Sequence, residues 1–304
     1  MDPYANLSPQ KITNRINKAA DALGVQRQEM QLLFRLQELL RQISESKYQH
    51  DFIFKGGFEI ITLIGVPRRT TIDLDATMNN YRLEPRKLKE VLSDIFDHAR
   101  SPIRFEVTRI KMTMNENKYP GFRVGVIGIM GKTRSKLSID VSTGDMIYPC
   151  PIKFMHTNFI DPHDKIMVNA FPREQIMADK LVTIYQKGAS NTRAKDFYDI
   201  WALSIMESNN LDHQTLVAAF RKTAKAKKVS ILTLVRGKEI LEELKTAPGM
   251  VQSWHSYQQT KEFARGLELN QVLNMAKRQL VAMFDDNFHH EVNEEKAQTN
   301  KHEL

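Results

Sequence analysis

At 304 residues, with 41% hydrophobic and 26% charged residues, the chain has the make-up of an ordinary globular protein with room for two domains. Lysine and arginine outnumber aspartate and glutamate 44 to 36, and the resulting net charge of +8 suits an anionic partner such as nucleic acid or a nucleotide. A single cysteine, Cys150, excludes an internal disulfide; MDPYANLSPQ lacks an apolar signal core and no stretch has the character of a membrane span, so a cytoplasmic protein is predicted.

Ser8 and Pro9 read as an N-cap and first-turn proline. Ile12, Ile16, Ala19 and Leu23 then recur at helical spacing, and a second helical set follows Gly24 at Leu32, Leu36, Leu39 and Ile43. Residues 1–50 are therefore read as N-terminal helices packed on the core. From residue 51 the pattern changes. Strands are predicted at Phe52 to Phe54, Thr70 to Thr77, Ile103 to Met112, Phe122 to Met130 and Lys136 to Ser142, interrupted by a helix carrying Leu88, Val91, Leu92 and Ile95. That makes 51–160 an α+β domain. Beyond Arg173 the periodicity is helical nearly throughout, so 161–284 is predicted as an all-α C-terminal domain. Residues 285–304 are polar and read as a disordered tail.

The stretch FKGGFEIITLIGVPRRTTIDLDATM carries the first chemistry. Side chains alternate along a strand, so Ile72, Leu74 and Ala76 are expected on one face with Asp73 and Asp75 on the other. KLSIDVS repeats the arrangement, with Leu137, Ile139 and Val141 inward and Asp140 outward. Three carboxylates on neighbouring strands repel one another, and a divalent cation resolves that repulsion: Mg²⁺ or Mn²⁺ prefers carboxylate oxygens and shares its shell with substrate phosphates. Gly56 and Gly57 fit the same chemistry, because glycine lets backbone N–H groups approach phosphate at the start of a helix, with Lys55 alongside. Singly, a Gly-Gly is an ordinary turn and each aspartate an ordinary surface residue. Their joint order favours a site.

Downstream, Phe197, Ile200, Trp201 and Ile205 form an apolar helical stripe, with Lys195 and Asp199 opposite it and Asp196 on its flank. Read by itself this is a solvated helix face with a weak Lys195–Asp199 pair. A basic run from Arg221 to Lys228 reads as a solvated helix end, Trp254 and Tyr257 as core, and His289 and His290 have no partners at metal-ligand spacing.

A glycine pair, a helix, hDhDh and a third strand aspartate resemble the nucleotidyltransferase superfamily that includes DNA polymerase β. FKGG, RRTTIDLD, LSIDVSTGD, REQIMADKL and NTRAKDFYDIWAL, in that order, resemble the AbiEii toxin-like nucleotidyltransferases of abortive-infection and toxin-antitoxin systems. The resemblance spans about Asp51 to Leu203. One departure stands out: the superfamily places Ser or Thr after the second glycine, and here it is Phe58. The resemblance implies a two-lobed fold, a polymerase β-like mixed sheet plus an all-α domain, with the active site between lobes. It implies metal on Asp73, Asp75 and Asp140 and a nucleoside triphosphate as substrate. Lys180 would contact triphosphate; Arg193 and Lys195 would bind phosphate or nucleic acid; Asp196 and Asp199 would orient those cations or the incoming nucleotide; Arg69 would reach the nucleotide or pair with an acidic neighbour. It also implies transfer of a nucleotide to an RNA 3′ end, such as a tRNA acceptor stem, and an antitoxin as regulator. A small-molecule or protein acceptor, and a catalytically silent binding module, are the alternatives.

Overall fold

The computed structural model describes residues 3–4, 6–79, 84–99, 101–113 and 121–285. The tail read at 285–304, beyond its first residue, lies outside the described residues, as do His289 and His290. The chain divides into two compact units, Met1–Ile176 and Met177–Leu304.

The first unit opens with α1 (Pro9–Leu23). The Ser8 hydroxyl accepts the Lys11 amide at 3.4 Å, Pro9 sits in the first turn and Gly24 closes the helix in the left-handed region at φ +65°. Its inward face is Ile12, Ile16 and Ala20, so Ala20 takes the place expected for Ala19, and Leu23 is exposed. Helix α2 (Arg27–Ser44) follows and is buried on nearly all sides, polar residues included.

The sheet comprises β1 (Phe52–Lys55), β2 (Asp73–Met78), β3 (Arg104–Thr113), β4 (Gly121–Met130), β5 (Thr133–Ser142), β6 (Ile152–Thr157) and β7 (Lys165–Ala170). Helix α3 (Gly57–Ile64) connects β1 to β2, and α4 (Pro85–His98) buries the expected Leu88, Val91, Leu92 and Ile95. The strand order is β3-β4-β5-β2-β1-β7-β6, mixed in sense: β2 runs parallel to β5 and β1 parallel to β7, while the remaining neighbours are antiparallel.

Three expectations are corrected. Strands β6 and β7 were not anticipated, although Ile166, Val168 and Ala170 alternate inward along β7. Because β7 pairs with the central strand β1, the sheet-bearing part runs past the boundary placed at residue 160. Strand β2 begins only at Asp73; Ile72 precedes it in a bend and is 65% exposed, not a core partner of Leu74 and Ala76.

Helix α5 (Arg173–Lys187) crosses from one unit into the other. The second unit continues with α6 (Ala194–Met206), α7 (His213–Ala226), α8 (Leu234–Thr246), α9 (Pro248–Thr260) and α10 (Leu269–Phe284), where α10 packs on α6 and α8. The protein is α+β: a mixed sheet with helices, followed by an all-α part. Among the described residues no helix is long and apolar enough to cross a membrane.

Candidate functional site

Chain direction changes at the end of β1 through two glycines packed closely against neighbouring side chains. Gly56 adopts φ +76° and ψ −145°, a region closed to residues with a side chain, and an added Cβ would lie 2.9 Å from Asp75 Cγ. Gly57 begins α3 with its amide 3.5 Å from Asp75 Oδ2, and a Cβ there would meet the Thr71 hydroxyl at 2.9 Å. The turn is thus packed beneath Asp75 and Thr71, and its Gly57 N–H lies beside a carboxylate. An ordinary surface turn does neither.

Sheet register aligns the charged residues across the strands. Lys55 on β1 is the partner of Asp75 on β2, Asp75 the partner of Asp140 on β5, and Asp140 the partner of Arg123 on β4. One transverse row therefore reads cation, anion, anion, cation, with Asp73 two residues along β2. The inward face beneath it is apolar, since Leu74, Ala76, Ile139 and Val141 are fully buried. Both end cations are engaged. Arg123 donates to both oxygens of Asp140, from Nε at 2.7 Å and Nη2 at 2.5 Å. These hydrogen bonds, followed by the fields of Asp140, Asp73 and Asp75, hold the guanidinium more firmly protonated than usual. Lys55 Nζ turns instead to Asp145 Oδ2 at 2.6 Å and Ser142 Oγ at 2.8 Å. Burial pushes the Asp145 carboxyl up, but Lys55 and two hydroxyls outweigh it and leave it below the usual range.

Thr71 donates to Asp73 Oδ1 at 2.6 Å while its hydroxyl lies over Gly57. Phe58 explains the departure in the glycine motif: its side chain faces the core, its ring centroid 5.0 Å from that of His156 and 5.6 Å from that of Phe159. A hydroxyl still stands beside the glycine pair, supplied by Thr71 from another segment. Arg69 is buried, donates to the Thr70 carbonyl, and has its Nη2 3.5 Å from a Cβ built on Gly57.

The donor chemistry fits a hard divalent cation of the kind held by one or two carboxylates and completed by water and phosphate. Asp73 and Asp75 are the side chains to hold it. Asp140, the third carboxylate expected from the sequence, is paired with Arg123, and among the described residues no three histidine, cysteine, aspartate or glutamate side chains are grouped to bind a metal ion. Arg123, Thr71 and Asp145 were not picked out in the sequence. Only Asp145 had a local signal, in the STGD turn where Gly144 takes φ +71°.

A second cluster lies wholly in the helical unit. Lys180 on α5 donates to Asp196 Oδ1 at 3.0 Å and to Asp199 Oδ2 at 2.7 Å, both on α6, and Arg193 donates from Nε to the other oxygen of Asp196. Asp199 is only 1% exposed, so the solvated face and the Lys195–Asp199 pair expected for α6 are corrected: Lys180 is the partner, Lys195 is exposed outside the cluster, and Ile205 at the stripe's end is exposed. Burial alone would drive the Lys180 amine toward neutrality, but the two carboxylates keep its affinity for the proton above normal. Burial likewise opposes ionisation of Asp196, and Lys180 and Arg193 reverse that, leaving it well below the usual carboxylate range. Elsewhere Trp254 packs in the core with its indole N–H on the Leu267 carbonyl, and Lys227 of the basic run pairs with Asp179.

Comparison with known proteins adds the following. The family described as "Nucleotidyl transferase AbiEii toxin, Type IV TA system" matches residues 38–291. No curated protein matches the sequence. Among solved structures, JHP933 from Helicobacter pylori is similar at 12% identity over 92% of this chain and 99% of that one, with a TM-score of 0.47. An antigenic nucleotidyltransferase-like protein from Paracoccidioides brasiliensis is similar at 14% identity over 81% and 93%, with a TM-score of 0.37.

Proposed function

The chain belongs to the AbiEii nucleotidyltransferase toxin family of type IV toxin-antitoxin systems, and from that premise we propose that it transfers a nucleotide from a nucleoside triphosphate to an RNA 3′ end, with the acceptor stem of tRNA as the favoured target. The observation that carries this reading is the in-register pair Asp75 and Asp140 beside the Gly56–Gly57 turn.

In this reading the turn receives the triphosphate. The start of α3 offers fixed partial positive charge there, with the Gly57 amide at present beside Asp75. Asp73 and Asp75, joined by Asp140 when it parts from Arg123, would hold Mg²⁺ or Mn²⁺, which when bound neutralises charge on the phosphates. Once parted from Arg123, Asp140 accepts the proton of the acceptor hydroxyl as its oxygen attacks the α-phosphorus; the bond to the bridging oxygen breaks and pyrophosphate leaves. Thr71 positions Asp73 through its hydroxyl. The +8 net charge favours an RNA acceptor. A cognate antitoxin protein is proposed as the regulator.

The test is labelling with each of the four α-³²P nucleoside triphosphates in turn, with total RNA, with protein alone and with small metabolites. RNA-dependent label that disappears in Asp73→Ala supports the reading. Label on protein or metabolite alone moves the acceptor to the alternative class, and no label with any nucleotide removes the reading.

A further inference from the structure

Arg123 does not belong to any motif that marks the family resemblance, yet it is the ion-pair partner of Asp140. Asp73, Asp75 and Asp140 place three negative charges on two adjacent strands. Lys55, the register partner of Asp75, has its ammonium on Asp145 and Ser142. Arg123 is bidentate on Asp140 and sits within the field of all three carboxylates. Its position is set by the backbone, because β4 and β5 pair at Arg123↔Asp140. Its side chain is 52% exposed, so it can leave without opening the core.

We propose that Arg123 is a resident counter-ion that holds Asp140 in the metal-free protein and surrenders it to a divalent cation, so that one arginine is exchanged for one dication as the site becomes active. The inference rests on the metal-binding reading above. Arg123 is thereby a positioning residue that sets how readily the site loads. A half-exposed bidentate pair is strong enough to compete with a weakly held ion and weak enough to release Asp140. The exchange also raises the net charge of the site by one unit, which favours a polyphosphate only after loading.

The experiment measures Mn²⁺ binding without nucleotide, by the free-ion paramagnetic resonance signal, in the parent, Arg123→Gln, Asp140→Asn and the double variant. Arg123→Gln is expected to bind Mn²⁺ about two- to fivefold more tightly, the range that a partly exposed ion pair supplies. Asp140→Asn should lower affinity little in the parent, where Asp140 is occupied, and more in the Arg123→Gln background. Should Arg123→Gln fail to fold, Arg123→Met takes its place in the same cycle, and the parent against Asp140→Asn gives an independent reading. Unchanged or weaker binding on loss of the arginine, additive effects in the cycle, a large loss from Asp140→Asn alone, or no Mn²⁺ binding at all each overturns the proposal. RNA labelling by the parent is a separate measurement, so nucleotidyl transfer can stand when Arg123 exchange fails.

Discussion

Asp75 and Asp140 are register partners across two parallel strands, so their separation is fixed by backbone hydrogen bonding and not by side-chain packing. Neither carboxylate holds the core, which lies on the opposite face. Asp73→Ala or Asp75→Ala is therefore expected to cut transfer by on the order of 10³-fold or more, as losing several kcal/mol of charge stabilisation requires. In metal-free buffer each variant should melt no lower than the parent, since one of several repelling charges is gone. A clear drop in Tm without metal would make these residues structural.

Gly56→Ala combines a forbidden backbone region with a clash against Asp75. The backbone alone should cost about 1–3 kcal/mol of stability, read as a lower urea midpoint. Retention of the parent midpoint would show that the turn can relax and that its geometry is not required.

Lys180→Ala leaves Asp196 and Asp199 buried without their shared cation. Breaking such a pair is expected to cost about 3–5 kcal/mol, far more than loss of a solvated lysine. Adding Asp199→Asn should recover part of that loss, because one of the stranded charges is removed. Equal urea midpoints for Lys180→Ala and the parent would exclude the buried-pair account.

His156 donates from Nε2 to Gln37 and accepts at Nδ1 from Thr62, and burial lowers its pKa from 6.5 to about 3. Between these values the unfolded chain binds the additional proton, so stability rises with pH there and is lost as pH falls from 6.5 toward 3. Buried Glu59 acts in the opposite sense, because its raised carboxyl pKa removes stability as pH climbs past its unfolded value. In His156→Gln the pH slope of unfolding free energy should fall by up to about 1.4 kcal/mol per unit through the window. An unaltered slope would mean that His156 is not the group responsible.

Induction of the parent in a bacterium is expected to arrest growth, and Asp73→Ala at matched protein level to restore it. Equal growth of the two would remove the toxin activity while leaving transfer chemistry intact. Equal arrest would place toxicity in binding, and not in catalysis.

The glycine pair, the two-strand aspartate pattern and the helical second half were legible because each is written in local periodicity or in residues with a steric signature. Gly56 is the clearest case, since its positive φ needs a glycine whatever surrounds it. Arg123 was not legible: its meaning comes from lying opposite Asp140, a relation between strands that no local pattern records. Asp199 was misread because helical periodicity locates the apolar stripe but cannot show that a lysine from another helix fills the space beside it. Strand β6 was missed because it carries few buried side chains, which weakens the alternation that would reveal it, whereas β7 does carry that alternation in Ile166, Val168 and Ala170.

The transverse charge row and the core beneath it are set by one and the same strand register. Slipping β5 by one residue would bring Ile139 or Val141 opposite Asp75, carry Leu137, Ile139 and Val141 off the core face and turn Ser138, Asp140 and Ser142 inward. Arg123 would lose its partner in the same step. Single-residue insertions or deletions in the β4–β5 hairpin should thus switch the site off outright, whereas conservative substitutions beneath the row should only tune it.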